Sequence, residues 1–207
     1  MAYYPIFMNL SGQRCLVIGG GAVAERKVEG LLEADASVTI VSPTLTEALE
    51  HRVREKKIRH YMREYRKGDI AGYRLGFVAT DNPQINRAAY EEAQEAGVLL
   101  NSADDPAHCD FILPSVLRRG ELQVAVATGG ASPALSRAIR EELEDYFSED
   151  YELLSGVVAD VRRELKEKGI ATDAESWRRA LNGEVRRLVR DGDIEAAKRR
   201  LREEVAR

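Results

Sequence analysis

The stretch "CLVIGGGAVAERKVEGLLEA", residues 15 to 34, joins a short apolar run to a helical pattern through three consecutive glycines. Gly19, Gly21 and Ala24 fit the spacing G-x-G-x-x-A. Between a strand and a helix the first glycine permits the tight turn and the second lets the backbone approach a pyrophosphate. The small third residue lets helix pack on strand. The helix N-terminus then offers N–H groups and the positive end of its dipole to the phosphates. The stretch predicts a bound dinucleotide, the alternative being a strand-to-helix turn that merely tolerates glycine.

Working outward, the chain alternates as a parallel α/β sheet does. "CLVIG" is a buried strand, "AVAERKVEGLLEA" has apolar residues at helical spacing, and "SVTIVS", "RLGFVAT" and "VLLNSA" are further apolar strands. Continuous apolar runs are expected where a sheet is covered on both faces. "LQVAVAT" is strand-like again. "TLTEALEHRVREKK" carries a capping box, Thr44 with Glu47 three residues on, and "NPQINRAAYEEAQEAG" has Asn82 as cap, Pro83 in the first turn and Gly97 at the end. Ile6 to Leu10 reads as a strand or edge segment covering the core. The fold class is α/β, a Rossmann-type doubly wound parallel sheet over residues 1–114.

Beyond it, "SPALSRAIREELEDYF" is a helix with Ser132 as cap and Pro133 in the first turn. Apolar positions then recur at helical spacing from Leu154 to Leu165, from Trp177 to Val189 and from Ile194 to Val205. This predicts three amphipathic helices, each needing a partner face, which form a small helical domain over residues 151–207, a dimer interface, or both.

At 207 residues and 44% hydrophobic the chain can bury a sizeable core. A formal net charge of −4 argues against non-specific nucleic-acid binding, which needs a surplus of Lys and Arg. The two cysteines, Cys15 and Cys109, lack ligand spacing, so neither a disulfide framework nor a zinc site is expected and a reduced, cytoplasmic setting fits. No apolar run approaches the roughly 20 residues that span a bilayer, and the first residues lack the form of a signal peptide.

The acid that grips the adenine ribose at the end of the second strand is missing. That strand ends "VSPTL", which leaves the task to Ser42 or to backbone groups. No arginine follows closely to hold a 2′-phosphate, and the reading leans to NAD.

Ligands of such folds bind beyond the carboxyl ends of the strands. Three stretches are expected there: "ATDNPQIN" (79–86), "NSADDPAHCDF" (101–111) and "ATGGASPA" (127–134). Thr80, Asp81 and Asn86 could line the nicotinamide side, or Asp81 and Asn82 could simply cap the next helix. Asp104 and Asp105 are adjacent carboxylates at a strand end, where one can serve as a general base once its neighbour or burial raises its pKa; the alternative is a pair of exposed loop residues. His108, Cys109 and Asp110 point in different directions and do not suit one metal ion. His51 and His60 read as surface residues. "TGGASP" is a second glycine-rich turn into a helix, suited to an anion such as a substrate carboxylate or to shaping a connection.

Taken in order, "YYPIFMNLSGQRCLVIGGGAVAERKVEGLLEA", "VSP", "ATDNPQIN", "NSADDP", "CDFILPS" and "ATGGASPALSRAIREELE" resemble the precorrin-2 dehydrogenase family, the module that also forms the N-terminal part of multifunctional sirohaem synthases. The likeness covers about the first 145 residues, and the helical tail follows in pattern only. It implies NAD-dependent oxidation of precorrin-2, a tetrapyrrole, to sirohydrochlorin. It also implies a homodimer formed through residues 115–150, with Asp104 as the catalytic residue. Dinucleotide contacts then fall on the glycine turn, Gly19, Gly20 and Gly21, on Ala22, Val23 and Ala24 at the helix start, and on Pro43 and Thr44. A serine reported as a phosphorylation position in the family becomes Thr128. The substrate's many carboxylates make Arg118, Arg119, Arg137 and the turn at Gly129 and Gly130 reasonable partners, and Asp105 and Ser132 are further expected substrate contacts. Some relatives also insert iron into the product, so a bifunctional enzyme is the alternative. A different class, an NAD-sensing regulatory module, predicts cofactor binding without turnover.

Overall fold

The computed structural model describes residues 3–103 and 105–206. The chain divides into two compact units, Met1–Ile112 and Leu113–Arg207.

Five strands, β1 (Arg14–Ile18), β2 (Ser37–Val41), β3 (Ile58–Tyr61), β4 (Leu75–Val78) and β5 (Leu99–Ser102), form the sheet of the first unit. All its pairings are parallel, in the order β3-β2-β1-β4-β5. Side-chain alternation along β1 divides the core. Cys15 and Val17 pack with Ala24, Val28 and Leu31 of α1 (Ala22–Glu33) and Leu49 of α2 (Glu47–Arg54). Leu16 and Ile18 pack with Ala89 and Ala93 of α3 (Pro83–Ala96). Both faces are therefore covered, which explains the apolar runs. Leu16, Ile18, Ile40, Leu49 and Leu100 are essentially inaccessible to solvent, and each such burial contributes roughly 1.5–3 kcal/mol.

Register places the site. Ile18 lies opposite both Val41 and Val78, Val41 opposite Tyr61, and Val78 opposite Ser102. These strands end flush, so the segments beginning at Gly19, Ser42, Met62, Ala79 and Ala103 leave from one edge of the sheet.

Several expectations are corrected. β3 is absent from the sequence reading because it is an edge strand: only Ile58 is buried, while Arg59 and Tyr61 face out. His60 belongs to it and is half-buried, its Nε2 donating to the Ser42 carbonyl at 2.8 Å, so it is not a free surface residue. His51 on α2 is exposed. The cap of α2 is Thr46, whose hydroxyl accepts from the Leu49 N–H, rather than Thr44. Residues 6–10 form no strand; Leu10 is buried and Met8 packs on the core, but Ile6 and Phe7 are exposed. The caps of α3 lie where expected: Asn82 accepts from the Gln84 and Ile85 N–H groups, and Gly97 has φ +66°.

In the second unit β6 (Ser115–Arg119) and β7 (Leu122–Val126) form an antiparallel hairpin on which α4 (Pro133–Tyr146) packs. "LQVAVAT" is thus no part of the parallel sheet, and "ATGGASPA" follows the hairpin rather than a strand of that sheet. Among the described residues the tail holds four helices, not three: α5 (Asp150–Glu167), α6 (Ala174–Ala180), α7 (Gly183–Arg190) and α8 (Ile194–Val205). The expected middle helix breaks where Asn182 turns to cap α7, accepting from Glu184 and Val185 N–H groups at 3.0 and 3.2 Å. Its apolar stripe survives the break, because Trp177, Val185 and Val189 join Val157, Val161 and Leu201 in one cluster. Among the described residues no helix is long and apolar enough to cross a membrane.

Candidate functional site

The three glycines after β1 answer to different demands. Gly19 has φ +114°, and a Cβ there would stand 2.1 Å from the Ala79 carbonyl oxygen. Its N–H donates to the Val41 carbonyl at 2.9 Å, binding the turn to β2. At Gly20 a Cβ would meet the Thr44 carbonyl oxygen at 2.0 Å, and the Gly20 carbonyl accepts from the Thr46 N–H at 2.9 Å. Both residues are thus glycine because the protein itself leaves no room.

Gly21 differs. Its backbone is extended, φ −87° and ψ −172°, a conformation open to any residue, and nothing lies within 4 Å of where a Cβ would be. It is the N-cap of α1, yet no side chain caps that end. Space for a close approach in front of uncapped N–H groups is the arrangement a pyrophosphate requires. Ala22 is exposed and Val23 half-buried beside it. Ala24 is fully buried and packs in the core, so its contribution is to bring helix onto strand rather than to touch a ligand.

A cleft of about 520 Å³ opens beside this turn, along the ends of β1, β2 and β4. Gly19, Ser42, Pro43, Thr80 and Asp81, all expected at a cofactor, line it together. Ser42 is buried, and its hydroxyl already donates to the Thr44 carbonyl at 2.7 Å. Thr44 itself is not on the lining. Thr80 Oγ donates to Asn86 Oδ1 at 3.1 Å and accepts from the Asn82 N–H at 3.0 Å. Asn86 returns a bond to the Thr80 carbonyl, so it braces the loop instead of lining the cleft. Asn82 is the helix cap, while Asp81 is exposed at the cleft.

Sequence reasoning missed Glu64 and Tyr65, which complete the lining from the segment after β3. That segment is firmly held. The Arg63 guanidinium donates to both Asp69 carboxylate oxygens at 2.7 Å and holds that carboxyl below its usual range. The Tyr65 hydroxyl donates to Glu92, a buried carboxylate that also accepts from the Gly68 and Ile70 N–H groups at 2.9 Å. Burial, with Glu92 beside it, pushes the Tyr65 phenol well above its ordinary value. In sequence "REYRKGD" is only a polar loop. A recognised strand at "IRHY" is the one signal that would have brought these residues to the sheet's carboxyl edge.

Asp104 lies outside the described residues. Asp105 turns to its own loop, its carboxylate 2.5 Å from His108 Nδ1, whose ring meets Tyr90 edge-on with centroids 4.6 Å apart. Cys109 Sγ is within 3.1 Å of both the carbonyl and the N–H of Ser102, and burial pushes its thiol up. Asp110 accepts from the Leu100 N–H at 2.8 Å. Asn101, buried, accepts from Lys27 of α1 at 3.4 Å and donates to the Phe111 carbonyl at 2.9 Å, closing the loop's base.

The remaining expected residues lie in the second unit. Gly129 and Gly130 are exposed with φ +64° and +85°. The Ser132 hydroxyl accepts from the Leu135 N–H at 3.1 Å, and Thr128 Oγ accepts from the Ser132 N–H at 3.1 Å. Arg137 is exposed on α4. Arg118 is exposed, and Arg119 donates to the Phe147 carbonyl at 2.9 Å.

A doubly wound parallel sheet with a glycine turn, an uncapped helix and a cleft at its carboxyl edge defines a dinucleotide-binding class of protein. The family described as "Putative NAD(P)-binding" matches residues 6–115, more than half of the chain, and the chain belongs to it. The family described as "Sirohaem biosynthesis protein central" matches residues 119–146. The chain is 39% identical to a siroheme synthase of Nitrosococcus oceani over 95% of its own length, and 36% identical to that of Mannheimia succiniciproducens over 97%. It spans 42–43% of the length of these two curated relatives. A solved structure of SirC, precorrin-2 dehydrogenase, shares the fold with a TM-score of 0.79 at 23% identity, covering 95% of this chain and 99% of that one.

Proposed function

We propose that the chain is an NAD-dependent dehydrogenase that oxidises precorrin-2 to sirohydrochlorin on the route to sirohaem. The observation that carries the chemistry is the open space at Gly21 before the uncapped end of α1. The relatives named siroheme synthase and the fold match to a precorrin-2 dehydrogenase support the substrate. Gly20, Gly21, Ala22 and Val23 would hold the pyrophosphate through backbone N–H groups, with Gly19, Ser42, Pro43, Thr80 and Asp81 lining the cleft along the rest of the dinucleotide.

Bound NAD supplies the hydride acceptor, and the protein's part is to position and to move the accompanying proton. That proton is assigned to Asp104 as general base. For the polycarboxylate substrate we assign Arg137, which makes no ion pair among the described residues, with the exposed turn at Gly129 and Gly130 and the Ser132 hydroxyl. Exposed apolar side chains within that segment, Leu135 and Tyr146, support a homodimer formed through residues 115–150. Two free cysteines fit a reducing, cytoplasmic setting.

The test is a spectrophotometric assay of anaerobically generated precorrin-2 with purified protein and NAD or NADP, then of sirohydrochlorin with ferrous ion. Sirohydrochlorin is expected only when nucleotide is present. Metal-dependent loss of sirohydrochlorin above the uncatalysed rate would add iron insertion. Binding of NAD without oxidation would overturn the dehydrogenase in favour of a sensing module. Asp104→Asn should retain NAD binding and lose about 100-fold or more of kcat, the usual worth of a positioned base; unchanged turnover removes Asp104 from that role.

A further inference from the structure

Dinucleotide sites of this fold ordinarily place an acid at the end of the second strand, where it accepts from the adenine-ribose hydroxyls. Here Ser42 and Pro43 stand there, and the Ser42 hydroxyl is engaged by the Thr44 carbonyl. The neighbouring strand offers a replacement. β3 runs parallel to β2 with Tyr61 opposite Val41, so the chain leaving β3 emerges beside the chain leaving β2. Glu64, three residues past Tyr61, lines the same cleft as Ser42 and Pro43.

Both sequence neighbours of Glu64 are anchored. Arg63 is clamped on Asp69 and donates to the Glu64 carbonyl at 3.0 Å; Tyr65 is tied to buried Glu92. The backbone at Glu64 is thereby held at the cleft. Asp81, from the end of β4, is the other carboxylate on the lining, and no lysine or arginine is found among the described residues that line it. Two carboxylates without a cation suit neutral ribose hydroxyls, which donate to them. They oppose a 2′-phosphate, which carries close to two negative charges at neutral pH.

We propose that Glu64 supplies, from the end of β3, the ribose-binding acid that the end of β2 lacks, and that it makes this cleft select NAD against NADP. The proposal rests on the dinucleotide reading above. It adds a specificity residue that the glycine fingerprint does not contain.

The test is calorimetric titration of the full chain with NAD and with NADP, in the wild type, Glu64→Gln and Asp81→Asn. Glu64→Gln keeps the side chain's shape and removes its charge. The wild type is expected to bind NAD at least tenfold more tightly than NADP, and Glu64→Gln to reduce that ratio by about tenfold at low salt, with an unchanged melting temperature. A ratio unchanged in Glu64→Gln overturns the proposal while leaving NAD binding intact. A ratio that collapses in Asp81→Asn alone overturns it in favour of Asp81. Equal affinity of the wild type for both nucleotides also overturns it, and failure to bind either nucleotide removes the dinucleotide reading together with it.

Discussion

Two glycine-rich turns lead into helices in this chain, "GGGAVA" before α1 and "TGGASP" before α4, and their helix ends are completed by different means. Before α4 the protein satisfies itself: Ser132 caps its own helix through the Leu135 N–H, and Thr128 Oγ accepts from the Ser132 N–H while donating to the Ser132 carbonyl at 3.0 Å. Before α1 no side chain does this work, and Gly21 leaves the space in front of the helix open. A dinucleotide would supply from outside what Ser132 supplies from within. The glycines differ accordingly: Gly19 and Gly20 are forced by neighbouring carbonyls, whereas Gly129 and Gly130 are set by positive φ alone, with nothing within 4 Å.

The largest effect is expected where the turn meets its own protein. In Gly19→Ala the new methyl must displace the Ala79 carbonyl from a backbone at φ +114°, at a cost of about 2–4 kcal/mol. Urea denaturation should show the loss; a midpoint within error of wild type would mean that the turn yields easily and that Gly19 is not fixed by packing. Gly129→Ala, strained only by its φ of +64°, should cost about 1 kcal/mol.

The next effect separates stability from binding. Gly21→Asp places a good N-cap at an uncapped helix, so the ligand-free chain should gain a few tenths of a kcal/mol. The same carboxylate would occupy the open space and repel a pyrophosphate, and NAD affinity should fall about 100-fold. Titration calorimetry beside thermal melting reads both. A stabilised chain that still binds NAD normally would show that the open space is not where the phosphates lie.

What the sequence revealed follows the same division. β1, the glycine turn and α3 were legible because their signals are local: an apolar run, a G-x-G-x-x-A spacing, and Asn82 with Pro83 and Gly97. Glu64 and Tyr65 were not, because parallel pairing of β3 with β2 sets their position and that edge strand buries little. Thr46 prevails over Thr44 as the cap of α2 in a tertiary context, since its hydroxyl donates to Glu25 of α1 at 2.7 Å. Two errors had signals in plain view. Gln123 interrupts "LQVAV" with the half-exposed alternation of a hairpin, and Asn182-Gly183 marks the helix break in the tail.

The smallest effect tests the other half of the comparison. Ser132→Ala removes the cap of α4, and because that bond is internal it should cost about 1 kcal/mol in thermal stability. NAD affinity should stay within twofold of wild type, since Ser132 lies outside the parallel-sheet unit that carries the glycine turn and the cleft. The substrate constant is the sharper reading. If the Ser132 hydroxyl also meets a substrate carboxylate, KM for precorrin-2 should rise several-fold in Ser132→Ala and recover in Ser132→Thr, which restores both the cap and a hydroxyl. A loss of stability with KM unchanged would confine Ser132 to its helix and leave the substrate carboxylates to Arg137 and the Gly129–Gly130 backbone. Such an outcome would make the contrast complete, with one turn closed by its own side chains and one completed by a ligand.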